Sequence, residues 1–66
     1  MKPMPPLEER IRGEFLEMPG LRLTARQASR LWAIDHATSE RVLDTLTSAG
    51  FLARTREGAY LRSSAA

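Results

Sequence analysis

The chain contains no cysteine. Disulfides, thiolate metal sites and a cysteine nucleophile are therefore excluded. Its single histidine, His36, leaves an ordinary structural zinc site without ligands. No apolar run approaches the roughly 18 residues of a membrane span. No apolar h-region follows Lys2, so nothing reads as a signal peptide, and the cytoplasm is the expected location. A chain of 66 residues is one domain with a thin core, burying only about 60% of the surface that its unfolded form exposes. Such a core leaves little room for a walled catalytic cavity. Lacking a covalent or metal staple, the fold needs well-packed helices or a partner surface. Its 42% apolar and 27% charged residues belong to a folded globular protein and not to a disordered one.

The chemistry of an enzyme is missing as well. There is no base with a partnered nucleophile, no glycine loop to cradle a phosphate and no metal constellation. His36 and Ser39 lie three residues apart, but no acid is placed to orient them. Glu8/Glu9 and Glu40/Asp44 read as surface pairs on helices. No catalytic activity, cofactor or small-molecule substrate is expected.

What is present is a modest basic excess, ten Lys plus Arg against eight Asp plus Glu, for a net charge of +2. Its distribution is uneven. Residues 1–20 carry three bases (Lys2, Arg10, Arg12) against four acids (Glu8, Glu9, Glu14, Glu17). Residues 21–66 carry seven bases, all arginine, against four acids. The guanidinium fork matches phosphate, so the second half suggests an anionic partner.

Residues 1–6 hold three prolines and read as a disordered or extended arm, with Pro6 able to enter the first turn of a helix. Leu7, Ile11, Phe15 and Met18 then make one apolar stripe at helical period, widened by Leu16, which predicts a helix over 7–18. Glu8 and Glu9 suit its N-terminus, and Pro19-Gly20 ends it. Leu21-Arg22-Leu23 allows a stub strand. Thr24 and Gln27 form a capping box, and Ala25, Ala28, Leu31 and Trp32 share one face of a helix over 25–33. Asp35 is the N-cap of a third helix over 36–49, with Thr38, Val42, Leu46 and Ala49 as its stripe, Ser39 and Leu43 beside it, and Gly50 at its end. Residues 51–62 read as a β-hairpin with its tip near Glu57-Gly58. Tyr60 is expected half-buried on the third helix and Trp32 in the core. Residues 63–66 form a frayed tail. The near absence of a loop between Trp32 and Asp35 makes helices 2 and 3 cross steeply, a helix-turn-helix geometry.

The run from Leu23 to Leu52, with its capped Leu-Thr start, Ala28, Ile34-Asp35 at the turn and Val42-Leu43 with Leu46, resembles the winged helix-turn-helix superfamily of small bacterial DNA-binding regulators. Ser-Ala-Gly-Phe-Leu leading into Arg-Thr-Arg-Glu-Gly-Ala-Tyr-Leu completes the likeness, which covers about residues 7–62. It implies an α+β, mostly α fold of three helices with a C-terminal β-hairpin wing. Ala33 departs from the family's usual turn glycine, so the turn is expected to form without a positive φ. Trp32 replaces a smaller aliphatic. The resemblance further implies that the third helix enters the major groove of double-stranded DNA while the wing touches backbone or minor groove. Ala37, Glu40, Arg41, Asp44 and Ser48 then face the groove, with Arg41 able to read a guanine edge. His36, Thr38 and the free N–H groups of the first turn would hold a phosphate. Arg54 and Arg56 on the wing suit phosphate or a narrow minor groove. Arg22, Arg26 and Arg30 form a row along the backbone.

Each of these residues also has a plain reading as solvated surface. Glu40 and Asp44 weigh against DNA, because phosphates repel carboxylates and only a cytosine amino group accepts one in the groove. Two functions therefore stand. One is a transcriptional regulator, nucleoid-associated and homodimeric through helix 1 and the arm. The other is a winged-helix module that binds protein and no nucleic acid. A membrane role is not expected, since helix 1 is amphipathic but acidic. Read as a complete chain, the sequence shows no sensor domain, so regulation would come from abundance, dimerisation or a partner.

Overall fold

A computed structural model of the chain describes residues 6–63. The elements run α1 (Leu7–Glu17), β1 (Arg22–Thr24), α2 (Ala25–Leu31), α3 (His36–Ser48), β2 (Leu52–Arg54) and β3 (Ala59–Arg62). Three helices and one antiparallel sheet make a small α+β fold. The arm over 1–5 and the tail over 64–66 lie outside the described residues. Pro6 precedes α1 as its N-cap and does not enter the first turn; its carbonyl accepts the Arg10 N–H at 3.0 Å.

Local chemistry explains where the elements start and stop. Thr24 and Gln27 close the capping box in both directions: Thr24 Oγ1 accepts the Gln27 N–H at 3.1 Å, and Gln27 Oε1 accepts the Thr24 N–H at 2.9 Å. Asp35 caps α3 by accepting the Thr38 N–H at 3.0 Å. α1 ends in a turn across Pro19-Gly20, closed by the Leu21 N–H on the Met18 carbonyl at 2.9 Å. α2 and α3 end alike. The Ile34 N–H reaches back to the Ser29 carbonyl, and the Phe51 N–H to the Leu46 carbonyl, both at 3.0 Å. This closure needs a left-handed residue just past the helix. In α3 that residue is Gly50, at φ 85°. In α2 it is Ala33, at φ 54°. The expectation that this turn avoids a positive φ is therefore wrong: the capping geometry demands the left-handed region, and alanine adopts it.

The hairpin closes through the Thr55 N–H on the Ala59 carbonyl at 2.8 Å, with Gly58 at φ 89°. β3 is the central strand of the order β1-β3-β2. Leu23 faces Tyr60 on one side, and Arg54 faces Tyr60 on the other. The hairpin is thus tied to the body of the fold through β1. The Ser63 N–H, in the expected tail, still donates to the Phe51 carbonyl at 3.0 Å.

The core gathers Ile11, Phe15, Ala25, Ala28, Val42, Leu43, Leu46, Leu52 and Tyr60, with Trp32 and Ile34 packed partly against it. Several expected core positions face water. Met18 falls beyond the last turn of α1, and Leu16 is rotated off the Ile11–Phe15 line; both are exposed. Leu31 is exposed because α2 turns in on the Ala25–Ala28–Trp32 line, which leaves Leu31 at its side. α3 stops before Ala49, which is exposed. Thr38 is drawn to Asp35 and only half-buried, so Ser39 fills the inward position instead. Tyr60, expected half-buried, is only 2% exposed.

Candidate nucleic-acid interface

α3 buries Ser39, Val42, Leu43 and Leu46. At 3.6 residues per turn, its outward face then carries Ala37, Arg41, Asp44 and Ser48, flanked by Glu40 and His36. All six are exposed. Their surroundings differ sharply, and three carboxylates in or beside this helix decide what the face offers.

Asp35 is engaged in the cap. Its Oδ1 accepts the Thr38 hydroxyl at 2.6 Å and its Oδ2 the Thr38 N–H. These hydrogen bonds, the hydroxyl's first, hold its carboxyl below the usual aspartate range. The phosphate seat expected at His36 and Thr38 is thereby changed. Both polar groups of Thr38 already serve a carboxylate, whose negative charge stands where the phosphate would sit.

Asp44 is engaged across the fold. The Tyr60 hydroxyl donates to Asp44 Oδ1 at 2.7 Å. Burial pushes the Tyr60 phenol up to about 12, and the hydrogen bond and charge of Asp44 push in the same direction. The Arg54 guanidinium lies 5.6 Å from the centre of the Tyr60 ring, within cation–π range. Arg54, Tyr60 and Asp44 thus form a chain of contacts fastening the hairpin to α3. Asp44 is therefore an intramolecular acceptor more than a free groove residue. Sequence reasoning missed this link, because sixteen residues separate its partners and no local pattern joins them.

Glu40 remains. Its side chain is 53% exposed, and its nearest charged neighbour is His36, with Nδ1 to Oε1 at 3.9 Å. Glu40 stands one turn before Asp44, which the Tyr60 hydroxyl of the hairpin holds, so it lies on the hairpin side of α3. Arg41 lies on the other side, in a groove lined with Leu7, Glu8, Val42 and Thr45.

Among the cations, Arg22 reaches Glu57 of the hairpin at 4.0 Å, so its charge is partly answered within the chain. Arg26 and Arg30 are exposed on α2, and Arg54 and Arg56 on the hairpin. None of these four, nor Arg41, makes an ion pair among the described residues. A further pair was not singled out from the sequence. Arg12 and Arg62 lie 5.0 Å and 5.1 Å from the centre of the Phe51 ring. They join α1 to the base of the hairpin, beside the C-terminus of α3, where positive charge is favourable.

Among the described residues no group of three or more His, Asp or Glu side chains is placed to hold a metal ion. No helix among them is long and apolar enough to cross a membrane. No family model matches the chain, and no curated protein and no solved structure matches it significantly.

Proposed function

We propose that the chain is a winged-helix DNA-binding domain, acting as a small transcriptional regulator. α3 lies in the major groove of double-stranded DNA, and the β2–β3 hairpin serves as the wing on the backbone or in the minor groove. Supporting this reading are the order helix, strand, helix, tight turn, helix, hairpin and the pairing of the hairpin with β1. A fold-level likeness alone does not give function. The observation that carries the proposal is electrostatic. Arg26, Arg30, Arg41, Arg54 and Arg56 are exposed without internal ion pairs among the described residues; the first four lie on α3 or on elements that pack directly on it, and Arg56 lies in the hairpin turn. Phosphate contacts from such residues set affinity and register.

The Asp44–Tyr60 bond gives one of the two acids of α3 a structural task, the fastening of the hairpin, while its charge remains. A single α3 favours a homodimer on a two-part site, and exposed Leu16 and Met18 supply apolar surface at the end of α1. The test is the double variant Arg54→Ala/Arg56→Ala, measured by fluorescence anisotropy on a random duplex. Affinity falls and the salt slope shrinks by about two; unchanged affinity refutes the role given to the wing. The alternative, a protein-binding module, is favoured by the exposed acids Glu40 and Asp44 of α3 and by the modest net charge of +2, and it predicts no salt-dependent duplex affinity.

A further inference from the structure

Three carboxylates stand in or beside α3, and the structure gives two of them intramolecular work. Asp35 holds the first turn through Thr38, and Asp44 holds the Tyr60 hydroxyl. Glu40 has no such task. It accepts no hydrogen bond among the described residues, its contact with His36 is long at 3.9 Å, and half of its side chain faces solvent. Its position contributes nothing to the core, which α3 builds from Ser39, Val42, Leu43 and Leu46.

An ionised carboxylate offers acceptors only. Among the base edges exposed in the major groove, guanine presents acceptors, thymine an acceptor and a methyl, and adenine an acceptor beside its amino group. Cytosine alone presents a donor without a competing acceptor on the same base. An acid set against guanine, thymine or phosphate is repelled, and at adenine the N7 acceptor opposes what the N6 amino group offers. We infer that Glu40 is a specificity-determining residue of this protein, accepting a hydrogen bond from the N4 amino group of a cytosine and rejecting the other three bases at that position. This inference rests on the DNA-binding reading and names what that interface selects: duplexes with a C·G pair at the hairpin side of α3. Arg41 stands next in the chain on the other flank and suits a guanine on the neighbouring pair.

The experiment is selection of bound duplexes from a randomised pool by the full chain, followed by sequencing, for the native protein and for Glu40→Gln and Glu40→Ala. Circular dichroism melts check that these exposed substitutions leave the fold intact. The native protein enriches cytosine at one position by at least about fivefold over each other base. Glu40→Ala loses that preference at that position alone. Glu40→Gln moves it to adenine, whose N6 and N7 a carboxamide reads in bidentate fashion. If both variants keep the native preference and merely bind all duplexes more tightly, Glu40 is only a repulsive charge and the inference is overturned while DNA binding stands. If the native protein retains no duplex at low salt, DNA binding itself is refuted and the assignment of Glu40 falls with it.

Discussion

Ala33 offers the sharpest test of the fold. It occupies the left-handed position of the α2 closure at φ 54°, the same station that Gly50 fills at φ 85° after α3. For an L-residue the left-handed region costs about 1–2 kcal/mol, because Cβ approaches the following carbonyl oxygen. Glycine removes that term but adds about 0.4–1 kcal/mol of freedom to the unfolded chain. Ala33 is exposed, so its methyl gives up little packing. Ala33→Gly should therefore stabilise the protein by about 0.8 kcal/mol, the middle of the roughly 0–1.6 kcal/mol difference of these two terms. In a domain of this size that raises Tm by about 2–8 °C. Urea unfolding followed by helical circular dichroism reads the change as a higher midpoint with an unaltered slope. Ala33→Val, with a branched Cβ at the same φ, should move the midpoint the other way. If Ala33→Gly lowers the midpoint, the left-handed turn is wrong, and so is the crossing of α2 on α3 that depends on it.

Further outcomes follow from other parts of the structure. Gly13 lies inside α1 with nothing within 4 Å of where a Cβ would stand, so Gly13→Ala should raise stability by about 1 kcal/mol in the same urea assay. Tyr60→Phe deletes the hydroxyl held by Asp44 and should cost about 1–2 kcal/mol; an unchanged midpoint would mean that the bond does not fasten the hairpin. The folded Tyr60 pKa, about 12, lies above the ordinary value of 10.0. Its contribution is therefore complete below pH 10 and is lost as pH rises towards 12. Unfolding midpoints at pH 9 and 11.5 should differ in the native protein and much less in Tyr60→Phe. The lowered pKa of Asp35 acts in the opposite direction. Its stabilisation is present above the ordinary carboxyl range and fades as pH falls through the folded value, so Asp35→Asn should flatten the acid limb of the stability curve.

Much of this architecture is legible in the residues because its signals are local. Thr24 with Gln27, Asp35 before α3, and glycines at 50 and 58 each settle a boundary within a turn of chain. The stripes of α1 and α3 are carried by Ile11, Phe15, Val42 and Leu46, which recur at helical period. What escaped depends on contacts distant in sequence or on residues that carry no signal. Alanine is no marker of a left-handed turn, so Ala33 hides its role. A seven-residue α2 is too short for periodicity to separate Leu31 from the buried line. The three residues of β1 say nothing about which hairpin strand they pair with. Asp44 reads as a groove-facing acid until Tyr60 is brought beside it, and that pairing changes the chemistry assigned to α3. Arg54 reads as a phosphate candidate from its place near the hairpin tip. Its contact with the Tyr60 ring is visible only in the fold.

The most direct test of DNA binding is the affinity of the full chain for a random duplex, measured by anisotropy between about 50 and 200 mM salt. Three or four phosphate contacts from Arg26, Arg30, Arg54 and Arg56 predict that log K falls linearly with log salt, with a slope of about −2.7 to −3.6. Undetectable binding at the lowest salt, or an affinity indifferent to salt, would contradict it.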